Sequence, residues 1–195
     1  MSSPSDITDP ETSEFWLFGY GQTDSRLGDR LRPKILADHR GTPEAPGRVV
    51  TLIERAYWEK LTDQHDTAPE VVWGVAYRIV PEKVAEVKDY LDIREINGYS
   101  IHYTPFHPAD GSAPRMTLVY IGTPDNDQFV GPQDPQELAL HILNSQGPSG
   151  LNKDYLYQLE AALVDLSPQS GDHHVSDLAQ RTRALERAID ENTPP

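Results

Sequence analysis

The chain has 195 residues, no cysteine, and a formal charge of -14 from 17 basic and 31 acidic side chains. That balance excludes a phosphate-tracking nucleic-acid surface and attachment to anionic membranes, both of which need the opposite sign. Without thiols there are no disulfides, no thiolate nucleophile and no thiolate–zinc site, which fits a reducing, cytoplasmic setting. The N-terminal segment is acidic and polar, without the apolar run of a secretory signal, and no apolar stretch is long enough to span a bilayer. The size fits one buried core, so the expected organisation is a flexible leader over 1–13, a single catalytic-type domain over 14–190 and a frayed tail over 191–195.

FWLFGYG at 15–21 predicts an aromatic strand ending in a glycine-bracketed turn. The next stretch, to Gly47, has no clean period and reads as loop with one helical turn near Leu27 to Leu31. RVVTLI at 48–53 predicts a strand, and EVVWGVAYRI at 70–79 a second, in which Gly74 permits a bulge or close backbone contact. Between them, ERAYWEKLTDQHDTAP reads as an insertion or a loop with one turn of helix. Pro81 marks a helix start, and the segment to Glu95 has helical character. YSIHYTPF at 99–106 and RMTLVYIG at 115–122 predict two strands separated by the turn-forming PADGSAP. A helix follows over 135–144, broken by SQGPSG. In the next helix Leu151, Tyr155, Leu159, Ala162 and Leu166 recur at helical spacing, with Asn152 available as its cap. A final amphipathic helix covers 175–189. Strands first and helices last predict an α+β fold.

Two features carry chemistry. Val84, Val87 and Leu91 form one helical stripe, and Glu95 is the next residue on it. A carboxyl group ending a core-facing stripe is desolvated and titrates closer to neutrality, as proton transfer requires. A helix ending by Arg94 would instead leave Glu95 solvated, and the wheel alone does not choose. GYG at 19–21 can expose a run of backbone N–H groups that holds a carboxylate or an oxyanion, or it can be an ordinary tight turn. It is too short for a dinucleotide fingerprint. The histidines show no ligand pattern, so no metal is expected. Ser25, Ser145 and Ser149 lack the elbow and partners of a serine hydrolase.

Six stretches occur in family order: FGYG at 18–21, DHRGTPEAPGRVVTL at 38–52, WGVAYRI at 73–79, VKDYLDIREINGY at 87–99, LVYIGTPDN at 118–126 and GPSGLNKDYLYQL at 147–159. With them the chain resembles the ChaC-like, glutathione-specific branch of the γ-glutamylcyclotransferases from Phe15 to about Leu166. The resemblance implies a small mixed, barrel-like β-sheet flanked by helices. It also implies a cofactor-free lyase that turns glutathione, a small-molecule substrate, into 5-oxoproline and Cys-Gly. Carried over by position, the catalytic glutamate falls on Glu95. The substrate-holding turn falls on Gly19, Tyr20 and Gly21, and continues as Gln22 and Thr23 where the family has Ser-Leu. Tyr99 and Tyr120 match pocket tyrosines, and Arg48 and Arg94 match arginines of family motifs.

The connection from Gly21 to Asp38 is also shorter than the family's by about the length of one strand. Leu27, Leu31, Ile35 and Leu36 are expected to cover the side that the missing strand would leave. These departures keep two alternatives in view: a cyclotransferase for another γ-glutamyl amide, and a relative that binds glutathione, or serves a structural role, without turning substrate over.

Overall fold

The computed structural model describes residues 14–20, 40–62, 71–89 and 98–192. Its centre is a four-stranded mixed sheet in the order β2-β1-β4-β3. β1 (Phe15–Tyr20) runs antiparallel to β2 (Gly74–Ile79) along its whole length, from Phe15 opposite Ile79 to Tyr20 opposite Gly74. On its other side β1 lies parallel to β4 (Arg115–Gly122), with Leu17 beside Leu118. β3 (Tyr99–Phe106) pairs antiparallel with all of β4. Aromatic and β-branched side chains dominate these strands, as a pleated, half-buried surface favours. Gly74 is needed where it stands: a Cβ there would lie 2.5 Å from the Gly19 carbonyl oxygen and 2.5 Å from the Phe18 ring. The close backbone contact expected at that glycine is therefore present.

Side chains alternate across the sheet, which gives it two differently covered faces. On one, Phe15, Leu17, Ile79, Ile101 and Tyr120 gather around Leu118 and Val87. Val87 is only 1% exposed and belongs to a helix over 84–89 that follows a 3-10 turn at Pro81–Lys83. Towards the other face lies a layer of three helices, α2 (Pro135–Asn144), α3 (Asn152–Leu166) and α4 (His173–Asn192). Their core joins Ala139 and Ile142 to Leu156, Leu159, Leu163, Val175 and Leu178, with Tyr20 packed against it. Burial of each such aliphatic side chain stabilises by about 1.5–3 kcal/mol. α2 is capped by Asp134, whose Oδ1 accepts from Gln136 N at 2.8 Å and Glu137 N at 3.0 Å. Between α2 and α3 the chain makes a two-residue-stranded hairpin, β5 (Gln146–Gly147) and β6 (Gly150–Leu151). The mixed sheet with flanking helices is the α+β arrangement expected.

Several local expectations need correction. No strand forms over 48–53; a single bridge joins Ile53 to Gly122. The reason is that side chains take the backbone groups a ladder would use: Asn152 binds both the N–H and the C=O of Arg48, and Tyr155 accepts from Val50 N. The strand sought over 70–79 begins only at Gly74. The one helical turn expected between these segments is α1 (Arg55–Trp58). Asn152 is not the cap of α3; Leu151 holds that position and Asn152 is the first helical residue. The buried stripe of α3 includes Leu156 and Leu163, while Tyr155 and Leu166 sit at its rim. α4 starts at His173, two residues before the expected start at Val175, and runs past Ile189 to Asn192, into the tail expected to fray. The leader and the 21–38 connection, with Leu27, Leu31, Ile35 and Leu36, lie outside the described residues.

Candidate active site

The strand register sorts the sequence-derived residues. Gly19 shares the parity of Leu17, while Tyr99 and Ile101 alternate onto the same face as Tyr120 and Leu118. That is also the face Val87 covers. Tyr99 and Tyr120 are both half-buried there, on adjacent strands.

Tyr20 takes the opposite face. Its phenol donates to Asp172 Oδ2 at 2.7 Å, and the other carboxylate oxygen accepts from Val175 N at 3.0 Å. Burial first, and then the bond to Asp172, push the phenol well above the ordinary tyrosine range. The folded state therefore holds this proton more tightly than the unfolded chain does. The resulting stability is complete below about pH 10, the ordinary tyrosine value, and is lost as the pH rises beyond it. In thermal unfolding followed from neutral to alkaline pH, the Tm of the wild type should fall more steeply above about pH 10 than that of Tyr20→Phe. Parallel declines would show that the phenol is not so held.

A third tyrosine, one the sequence reading did not assign, joins this region. Tyr155, on the first turn of α3, accepts from Val50 N at 3.2 Å and lies under the Arg40 guanidinium, 5.5 Å from its ring centre. Burial raises its pKa, opposed by the Val50 bond and by Arg40, and Tyr99 is near enough to add to the rise. Tyr20 feels Tyr155 in the same way. Tyr155 thus lies within electrostatic reach of Tyr20 and of Tyr99, and Arg40 is tied to the start of α3 through the Leu151 carbonyl at 3.1 Å.

The segment carrying Val50 is fixed by Asn152. This fully buried amide accepts from Arg48 N at 2.6 Å and donates to Arg48 O at 2.7 Å. The Arg48 guanidinium is engaged by Gln133 Oε1 at 3.0 Å and the Pro46 carbonyl at 2.9 Å, so it braces the 46–48 turn. His141 reinforces the turn, its Nε2 lying 2.6 Å from the same Pro46 oxygen. Entry into β3 is equally fixed. Gly98 has φ +80°, and its carbonyl accepts from Thr123 N, Thr123 Oγ1 and Asn126 Nδ2 at 3.0, 3.1 and 2.9 Å. A Cβ at Gly98 would come within 2.7 Å of the Asn126 side chain, so that corner needs glycine on two counts.

Glu95, Arg94, Gly21 and Gln22 lie outside the described residues. Arg40, Asn126, Asn152 and Tyr155 fall inside the stretches that carry the family resemblance, yet only their tertiary contacts reveal what they do. Asp172 lies beyond those stretches and had no signal in the sequence. A separate groove of about 350 Å³, lined by Trp16, Ala76, Phe106, Arg115 and Leu166 among others, contains none of the residues assigned to the substrate.

A family model described as ChaC-like protein matches residues 31–185. The chain belongs to the ChaC-like family. This ChaC-like chain is 39% identical over 192 residues to the glutathione-specific γ-glutamylcyclotransferase of Schizosaccharomyces pombe, covering 89% of this chain and 94% of that protein. It is 34% identical over 204 residues to the enzyme of the same name from Saccharomyces cerevisiae, covering 80% of this chain and 88% of that one. A crystal structure of a γ-glutamyl cyclotransferase specific to glutathione from yeast superimposes with a TM-score of 0.66 at 31% identity, covering 89% of this chain and 99% of that one.

Proposed function

We propose that this protein cleaves glutathione by intramolecular cyclisation, releasing 5-oxoproline and Cys-Gly. Residues 14–190 would act as one catalytic domain, in the cytoplasm. The observation that carries the reading is the near full-length similarity to glutathione-specific γ-glutamylcyclotransferases, at 39% identity with the fission-yeast protein.

The chemistry asks little of the protein because the nucleophile belongs to the substrate. The α-amine of the γ-glutamyl group attacks its own γ-carbonyl carbon, forming the lactam C–N bond; the bond to the cysteinyl nitrogen then breaks. Holding amine against carbonyl supplies much of the roughly 7–11 kcal/mol available to well-oriented intramolecular reactions. Glu95 takes the proton from the attacking amine and returns it to the leaving nitrogen, so one carboxylate serves as base and then acid. Backbone N–H groups of the Gly19-Tyr20-Gly21-Gln22 turn hold the substrate α-carboxylate. Tyr99 and Tyr120 orient the amine or steady the tetrahedral oxygen; their shared sheet face supports this pairing. Tyr155 joins them through its proximity to Tyr99. Arg94 adds positive charge near the acid–base residue, and Arg48 acts through the turn it braces.

The test is turnover by purified protein of reduced glutathione beside a panel of other γ-glutamyl dipeptides. Glutathione should give the highest kcat/KM. A higher value for another γ-glutamyl amide would reassign the substrate, and binding of glutathione without any product would make the protein a non-catalytic relative.

A further inference from the structure

We infer that Asn126 is a positioning residue for Tyr99, acting through the Gly98 carbonyl. The inference deepens the cyclotransferase reading and rests on it for the role of the Tyr99 phenol.

Tyr99 is the first residue of β3, paired with Gly122, and among the described residues β3 has a neighbouring strand on one side only. The peptide joining Gly98 to Tyr99 is held from its carbonyl side instead. Thr123 N donates to that oxygen at 3.0 Å, where the ladder with β4 would continue. Two side chains add donors that no ladder supplies, Thr123 Oγ1 at 3.1 Å and Asn126 Nδ2 at 2.9 Å. Asn126 is 8% exposed and is itself immobilised. Its Oδ1 accepts from Gln128 N at 2.9 Å, its N–H donates to the Thr123 carbonyl at 3.1 Å, and its own carbonyl accepts from Phe129 N at 2.8 Å. The amide also packs directly on Gly98, where a Cβ would lie 2.7 Å from Asn126 Cγ. A peptide gripped at its oxygen resists rotation, and rotation of this peptide would swing the Tyr99 Cα–Cβ bond. The phenol oxygen stands at the far end of that side chain, so a small swing is magnified there. A misplacement of about 1 Å can cost about 10²-fold in rate, which is why a group that meets substrate needs such backing.

The competing role for Asn126 is purely local, closing its own turn through Gln128. Asn126→Asp separates the two roles. It keeps an acceptor for Gln128 N, while a carboxylate set against the Gly98 oxygen has no proton to donate. Thr123→Val removes the hydroxyl donor to the same oxygen and leaves Asn126 in place. With reduced glutathione, Asn126→Asp should lower kcat/KM about tenfold and Thr123→Val about threefold. Tyr99→Phe should lower it as well. Adding Asn126→Asp to Tyr99→Phe should then cost less than about twofold more, because the group being positioned is gone. In protein labelled with 3-fluorotyrosine, the fluorine resonance of Tyr99 is the one absent from Tyr99→Phe. It should shift in both Asn126→Asp and Thr123→Val, whereas a turn-closing role would leave it unmoved. An unmoved resonance, unchanged kcat/KM in Asn126→Asp, a fully active Tyr99→Phe, or effects of the two that multiply would overturn the inference. Should Asn126→Asp fail to fold, the resonance in Thr123→Val decides in the same way. Should the wild type leave glutathione intact, the cyclotransferase reading fails, and the resonance still decides whether Asn126 holds Tyr99.

Discussion

Replacing Glu95 by glutamine should lower kcat for glutathione about 10²–10⁴-fold, the range that a positioned acid–base group contributes. The thermal unfolding midpoint should stay where it is, because glutamine matches glutamate in shape and differs in being unable to accept and return a proton. The loss should appear in kcat and kcat/KM alike, since proton transfer occurs only on the way to the transition state. Among the described residues, Val84 is half-buried and Val87 almost wholly buried against Leu118, so the first two positions of the stripe face the core. Glu86 is the first alternative carboxylate to test, and it faces water, with its side chain 51% exposed and paired with Lys83 Nζ at 2.5 Å. It therefore stands off the core-facing stripe that Val84 and Val87 begin. Wild-type turnover by Glu95→Gln would remove Glu95 from the mechanism.

The second large effect belongs to Asn152. Its substitution by alanine removes the partners of both the N–H and the C=O of half-buried Arg48 and truncates a fully buried side chain. Each lost hydrogen bond contributes about 0.5–1.5 kcal/mol, so together they take about 1–3 kcal/mol from a net stability that for domains is only about 5–15 kcal/mol. In urea the unfolding midpoint should fall sharply while the m-value is kept. KM for glutathione should rise as well at temperatures where Asn152→Ala is folded, because the freed segment carries the Val50 N–H that orients Tyr155. Asn152→Asp retains the acceptor for Arg48 N and sets a carboxylate against Arg48 O, so it should not restore the midpoint. A change in unfolding free energy below about 0.5 kcal/mol for Asn152→Ala would show that the clamp does not hold this segment.

Asn152 also shows where local sequence stops being informative. β3, β4 and α2 have the boundaries read from the sequence, because each carries its own period and its own stops: PADGSAP between the strands, and Asp134-Pro135 before the helix. RVVTLI has equally strong strand chemistry and forms no strand. Its backbone partners are side chains more than a hundred positions away, on Asn152 and Tyr155, and no window around 48–53 contains them. The stripe on α3 went astray for a related reason. Leu156 and Leu163 face α2 and α4 in the core, and only that packing settles which side of the helix is inside. Of the proposed site, the tyrosines of β3 and β4 were assigned through family resemblance, and the register sets them on one sheet face. Asp172 was legible through neither, since a capping aspartate looks the same whether or not a distant phenol binds it.

Cyclisation itself is the central claim, and it leaves an isotopic signature. Glutathione turned over in oxygen-18-labelled water should yield equimolar 5-oxoproline and Cys-Gly by mass spectrometry, with no label in the 5-oxoproline, because the attacking atom is the substrate's own nitrogen. Labelled glutamate in place of 5-oxoproline would mean that water attacks the γ-carbonyl, and would contradict the mechanism.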